Sequence, residues 1–144
     1  MTLPKVRGWL IDFSTARSIF ESGNNQKIAH CVELCQKGSL FICHCEEALF
    51  REDGHLKDTF LDDQNCICEP DDDVYERCGT VSANPLTAKC VKGDDSPIYL
   101  TAAAMAKNYG VISDRRSHFF TTTFGLCSAY GVPVLSADQY FASV

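Results

Sequence analysis

Four places along the chain carry carboxylates that could act together: Asp12, the pair Glu46-Glu47, the pair Asp94-Asp95, and Asp114. Asp and Glu are hard oxygen ligands. Three or four of them around one cleft repel each other unless divalent cations neutralise them, which makes Mg2+ or Mn2+ the natural occupant. Ions of this kind turn water into a nucleophile and stabilise the leaving oxygen of a phosphodiester. Each acid also has a plain structural use, since Asp12 and Asp95 suit helix N-caps and Glu46 or Glu47 suits a first helical turn. What separates the two uses is whether the fold carries all four places to one edge.

The elements that must do so alternate. Val6 to Ile11 is a short apolar run between Pro4 and Asp12 and predicts a buried strand. Ser14 is placed to cap a helix through Phe20, ended at Gly23-Asn24-Asn25, and a second helix is expected from Asn25 to Lys37 before Gly38. Leu40 to Cys43 reads as a strand and Glu46 to Leu56 as a helix. Residues 57–92 form an acidic, Cys-containing and irregular segment, with one helix or strand expected within Tyr75 to Lys92. Ile98 to Tyr109 is Ala-rich and predicts a packed helix, with Ser96 as N-cap, Pro97 in its first turn and Gly110 as its stop. A short strand at Val111-Ile112, a helix from Phe119 to Tyr130, a strand from Val132 to Leu135 and a last helix from Ser136 complete the chain. Strands alternating with helices predict a single α/β domain over residues 1–144, in three α/β/α layers around a mostly parallel sheet. Ligands in such folds bind at the carboxyl ends of the strands, where Asp12, Glu46-Glu47 and Asp114 fall.

Composition narrows the class. The 144 residues are 45% apolar and 22% charged, enough for a core of its own and unlike a disordered chain. No apolar run reaches the ~18–20 residues of a membrane span, so the expectation is a soluble cytoplasmic protein without a membrane partner. The net charge of −6 is uneven: Glu46 to Arg77 holds twelve acids against three bases, and the remainder holds ten bases against seven acids. An anionic partner is therefore compatible with an acidic chain. Nine cysteines, an odd number, predict reduced and partly buried thiols. A structural Zn2+ held by Cys43, His44, Cys45, Cys66, Cys68 or Cys78 is the less favoured alternative, because C-x-C is tighter than the usual zinc knuckle.

The order of these motifs resembles a PIN domain, a small metal-dependent nuclease fold. Trp9-Leu10-Ile11-Asp12-Phe13-Ser14 is similar to that family's opening strand with its Asp-x-Ser/Asn motif, with Phe13 in place of the usual Thr. The run from Gly93 to Ala104 resembles the acidic start of its Ala-rich helix, Gly110 to Arg116 the strand ending in an acid, and Tyr130 to Ser136 the closing Gly-x-Pro-Val strand. The resemblance implies a PIN-like sheet and an endoribonuclease, toxin-like in size. Its metal centre would comprise Asp12, Glu47 or Glu46, Asp95 or Asp94, and Asp114, with Ser14 bonding a ligand or a metal-bound water. Phosphate contacts are expected from Arg17, Lys92, Lys107, Arg115 and Arg116; Phe13 and Phe119 are expected in the core, with stacking on an unpaired base the less favoured alternative. His118 lies four residues after Asp114, and surface or partner contact is expected of it as of His30, His44 and His55. An RNA substrate, an antitoxin-like protein partner and a homodimer also follow from the resemblance. Two alternatives stay open: a non-catalytic PIN-like protein-interaction module, and a zinc-stabilised regulatory domain. A phosphoacceptor receiver domain is disfavoured, because no Lys follows the strand Val132 to Leu135.

Overall fold

In the computed structural model, which describes residues 2–89, 95–114 and 120–144, apolar tetrapeptides pair side by side. Strands β1 (Gly8–Ile11), β2 (Leu40–Cys43), β3 (Ile67–Cys68), β4 (Tyr109–Ile112) and β5 (Val134–Leu135) form one all-parallel sheet in the order β3-β2-β1-β4-β5. Parallel strands need long crossovers, and helices supply them. Two helices, α1 (Phe13–Glu21) and α2 (Asn25–Gln36), link β1 to β2. From β2 to β3 the chain runs through a 3-10 turn at His44–Glu46, then α3 (Glu47–Arg51), α4 (Gly54–Lys57) and a π-helical turn at Asp58–Asp62. Next come α5 (Asp72–Ser82) and α6 (Ser96–Lys107) between β3 and β4, α7 (Phe120–Ala129) between β4 and β5, and α8 (Ala137–Ala142) at the end. The three-layer α/β/α reading is correct.

Strand periodicity divides the core. Side chains alternate between faces, so in β1 Trp9 and Ile11 join one cluster with Ala16, Phe20, Cys35, Phe50, Phe60 and Tyr140. Leu10 joins the other with Val74, Val81, Leu100, Ala103, Val111 and Leu126. Thus α1, α2, α4 and α8 cover one face, and α5, α6 and α7 the other. With both faces covered, the strands are apolar throughout, which is why they read as short continuous runs.

Several boundaries differ from expectation. Asp12, not Ser14, caps α1: its Oδ1 accepts from the Thr15 amide at 2.8 Å. The helix expected over Glu46 to Leu56 is broken, because Asp53 caps a new start by accepting from the Leu56 amide. The acidic segment is more ordered than it reads, with β3 inside it and Asp71 capping α5 through the Val74 amide at 2.9 Å. Ser96 is the first residue of α6, with Asp95 before it. That helix stops at Asn108, whose φ of 56° is left-handed, and Gly110 lies inside β4. No helix of the described residues is long and apolar enough to cross a membrane.

Candidate functional site

The sheet order creates one special edge. From β1 the chain steps to β2 on one side, and after β3 it returns to β4 on the other. Such a switch opens a crevice at the carboxyl ends of the two strands that flank it. Here those strands are β1 and β4, in register from Gly8 with Tyr109 to Ile11 with Ile112.

That register sets Asp12 beside Ser113. Asp12 is fully buried, and both its oxygens are engaged: Oδ1 by the Thr15 amide and Oδ2 by the Ser113 hydroxyl, which donates at 2.5 Å. A second bond repeats the link one step out, where the Asp114 amide donates to Thr15 Oγ1 at 2.7 Å. The start of α1 and the exit of β4 are therefore stapled twice. From the other neighbour, β2, the 3-10 turn delivers Glu46, which is 1% exposed, and its Oε1 accepts from the Phe13 amide at 3.2 Å. Three adjacent strands, β2, β1 and β4, thus bring Glu46, Asp12 and Ser113-Asp114 to one edge. Asp114 is half-buried and lines a cavity of about 290 Å³ with Ser18, Ser22, Lys27 and Asp138.

The remaining expected residues go elsewhere or lie outside the description. Glu47 pairs with Arg51 at 2.7 Å, an i,i+4 surface contact, so of the two glutamates it is Glu46 that stands beside Asp12. Asp95 is exposed at the start of α6, where it lines a hollow with Cys78, Ser82, Ile98 and Tyr99. Ser14 is half-buried in the first turn of α1, and the Asp12 carboxylate is bonded by the Thr15 amide and the Ser113 hydroxyl. Arg17 pairs with Glu21 at 2.8 Å, and Lys107 bonds Asp71 across 36 residues. Phe13 packs edge-on against Phe50. Asp94, Lys92, Arg115, Arg116, His118 and Phe119 lie outside the described residues. Ser113 and Thr15 are the two site residues that the sequence did not reveal, because only the strand register sets them against the acids.

The histidines and thiols have other surroundings. His30 Nε2 lies 2.9 Å from Tyr140 Oη, His55 packs edge-on to Phe20, and His44 packs edge-on to Tyr99. Burial pushes the Cys31 and Cys127 thiols up to about 12. Cys43 and Cys45 bring their sulfurs to 3.2 Å, and Cys66 points at the Cys35 carbonyl. Among the described residues no group of three or more His, Cys, Asp or Glu side chains could hold a metal ion. The hard oxygens of Asp12 and Glu46 match Mg2+ or Mn2+ in kind. As arranged, they are ordered by protein donors. The chain matches no protein-family model, no curated protein and no solved structure.

Proposed function

We propose that this chain is a PIN-like, metal-dependent endoribonuclease whose site lies at the carboxyl edge of β2, β1 and β4. The observation that carries the reading is the buried Asp12 between Glu46 and Ser113-Asp114 at the switch between β1 and β4. Burying two carboxylates side by side costs desolvation, which the cap on α1 and the Ser113 and Phe13 bonds offset in part and a cation would offset further. A cation bound there would supply a water of lowered pKa and would offset charge on the leaving oxygen of a phosphodiester. Asp12, Glu46 and Asp114 are the acids at this edge that would supply its oxygens, and a cation would have to draw them closer than they stand, while Asp95 lines a separate hollow. Ser113 and Thr15 keep the carboxylate of Asp12 and the backbone of Asp114 in place before any ligand arrives, as supporting hydrogen bonds do in metal sites. Phosphate contacts would come from Arg17, Lys92, Lys107, Arg115 and Arg116, with Arg17 and Lys107 leaving their surface pairs with Glu21 and Asp71 to make them.

The test is cleavage of single-stranded RNA by purified protein with Mn2+ or Mg2+. Cleavage is expected to fall by at least about 100-fold in Asp12→Asn combined with Asp114→Asn, beyond the range typical of supporting residues. Undiminished cleavage in that variant would sink the proposal.

A second reading rests on the engaged oxygens of Asp12. If the Asp12–Ser113 and Thr15–Asp114 bonds are a permanent staple, the chain is a PIN-like interaction module, with the acidic stretch of Glu46 to Arg77 facing a protein. Calorimetric titration with Mn2+ separates the two. Heat that disappears in Asp12→Asn supports the nuclease, and its absence in the native protein supports the module.

A further inference from the structure

The last residues of β2 and the turn after it carry a pair of thiols that neither reading uses. Cys45 Sγ donates to Cys43 Sγ at 3.2 Å. Cys43 is fully buried and Cys45 half-buried, so the pair has one end toward solvent and one in the core. Cys35 and Cys66, whose thiol points at the Cys35 carbonyl, lack such an end, being 3% and 2% exposed. Residues two apart have Cα atoms at most about 7 Å from each other, which overlaps the 4.4–6.8 Å that a disulfide spans. Closing the bond needs the sulfurs to move from 3.2 Å to about 2.05 Å, a rotation of side chains with a small shift of the residue between them.

We propose that Cys43 and Cys45 are a thiol–disulfide exchange site for low-molecular-weight disulfides, and that closing it displaces Glu46. Cys45 meets the incoming disulfide, its sulfur bonds one half, and the other half leaves as a thiol. Cys43 then attacks the Cys45 sulfur, and the second half leaves as a thiol. In total two protein thiols lose two electrons and two protons, and one small disulfide becomes two thiols, so the step balances. The ring so formed encloses His44, whose carbonyl accepts from the Glu47 amide and closes the 3-10 turn His44–Glu46. Glu46 sits at the end of that turn, holding the Phe13 amide next to Asp12. Tightening the ring pulls on the turn, and Glu46 is the side chain with a long-range bond to lose. This inference does not rest on the nuclease reading, because both of its readouts are independent of activity.

The reduced full-length protein is incubated with oxidised glutathione, quenched, alkylated and mapped by mass spectrometry. The expected product is lighter by two hydrogen atoms, with Cys43 and Cys45 linked and dithiothreitol restoring the mass. Cys43→Ser is expected to stop at a glutathione adduct on Cys45. Cys45→Ser, altered at the half-buried end, is expected to take up no glutathione at Cys43. Hydrogen exchange is expected to show lost protection of the Phe13 amide in the oxidised protein. Alkylation of both Cys43 and Cys45 after oxidation, or a link to another cysteine, overturns the site. Unchanged protection of Phe13 in the linked form overturns the displacement of Glu46.

Discussion

Asp12 holds two structural positions at once. One oxygen caps α1 and the other accepts from Ser113, a residue 101 positions away in the chain. The two uses can be separated. Asn keeps an oxygen for the Thr15 amide and an NH2 that the Ser113 oxygen can accept, so Asp12→Asn preserves the contacts while removing the charge. Asp12→Ala loses the cap and leaves a buried hydroxyl without its acceptor, and is expected to destabilise by about 1–3 kcal/mol. Urea unfolding of both variants checks this: the Asn form stays near the native midpoint, and equal loss in both would show that the charge itself holds the fold. If the proposed metal site exists, Ser113→Ala is expected to weaken Mn2+ binding by about 10–100-fold with the secondary structure intact. Calorimetry reads this directly, and unchanged affinity would remove Ser113 from the site.

At the scale of elements, the site depends on how β1 meets β4. Trp9 faces Gly110 across the pair, and a Cβ on Gly110 would stand 2.4 Å from the Trp9 ring. Gly110 therefore belongs to packing, and the left-handed turn that ends α6 falls to Asn108 instead. Gly110→Ala forces the indole or the strand to move, with an expected cost of about 1–3 kcal/mol. Because the same pair aligns Asp12 with Ser113, thermal unfolding should show a lowered midpoint and the Ser113–Asp12 bond should weaken with it. A native midpoint would mean that the indole has room to turn aside. The broken helix after β2 follows the same logic. Apolar spacing over Glu46 to Leu56 fits one helix, yet Asp53 favours a fresh N-cap, and Phe50 and Leu56 both reach the core only if the chain bends between them. Local pattern could not decide that; packing could.

The whole molecule buries several titratable groups in its two cores. Cys31 and Tyr140 on one face and Cys127 on the other are each pushed up to about 12 by burial. A raised folded pKa means that the folded state keeps its proton after the unfolded state has lost it. The stabilisation is thus complete below the unfolded values, about 8.5 for Cys and 10 for Tyr, and is lost as pH climbs toward 12. Stability is expected to fall by about 3 kcal/mol per buried thiol by about pH 10.5. Urea midpoints at neutral and alkaline pH measure the slope, and Cys31→Ala should flatten it by one group. A flat profile in the native protein would contradict the burial of these thiols.

The sequence by itself determined four of the five strands, most of the helices and the order in which the acids follow them, but not β3, the start of α5 or the break after α3. Short apolar runs between turn residues marked the strands, and alternation with helices dictated a parallel sheet with covered faces. Strand ends therefore located Asp12, Glu46-Glu47 and Asp114 before any coordinates. Only the tertiary structure decided which of them meet. Glu46 and Glu47 are neighbours with the same chemistry, and the phase of a three-residue turn sends one to Phe13 and the other to Arg51. Ser113 and Thr15 carry no mark in the sequence, since their bonds depend on a strand register set by contacts a hundred residues apart. Spacing along the chain records local geometry, whereas convergence at an edge is a property of pairing between segments that the chain brings together only on folding.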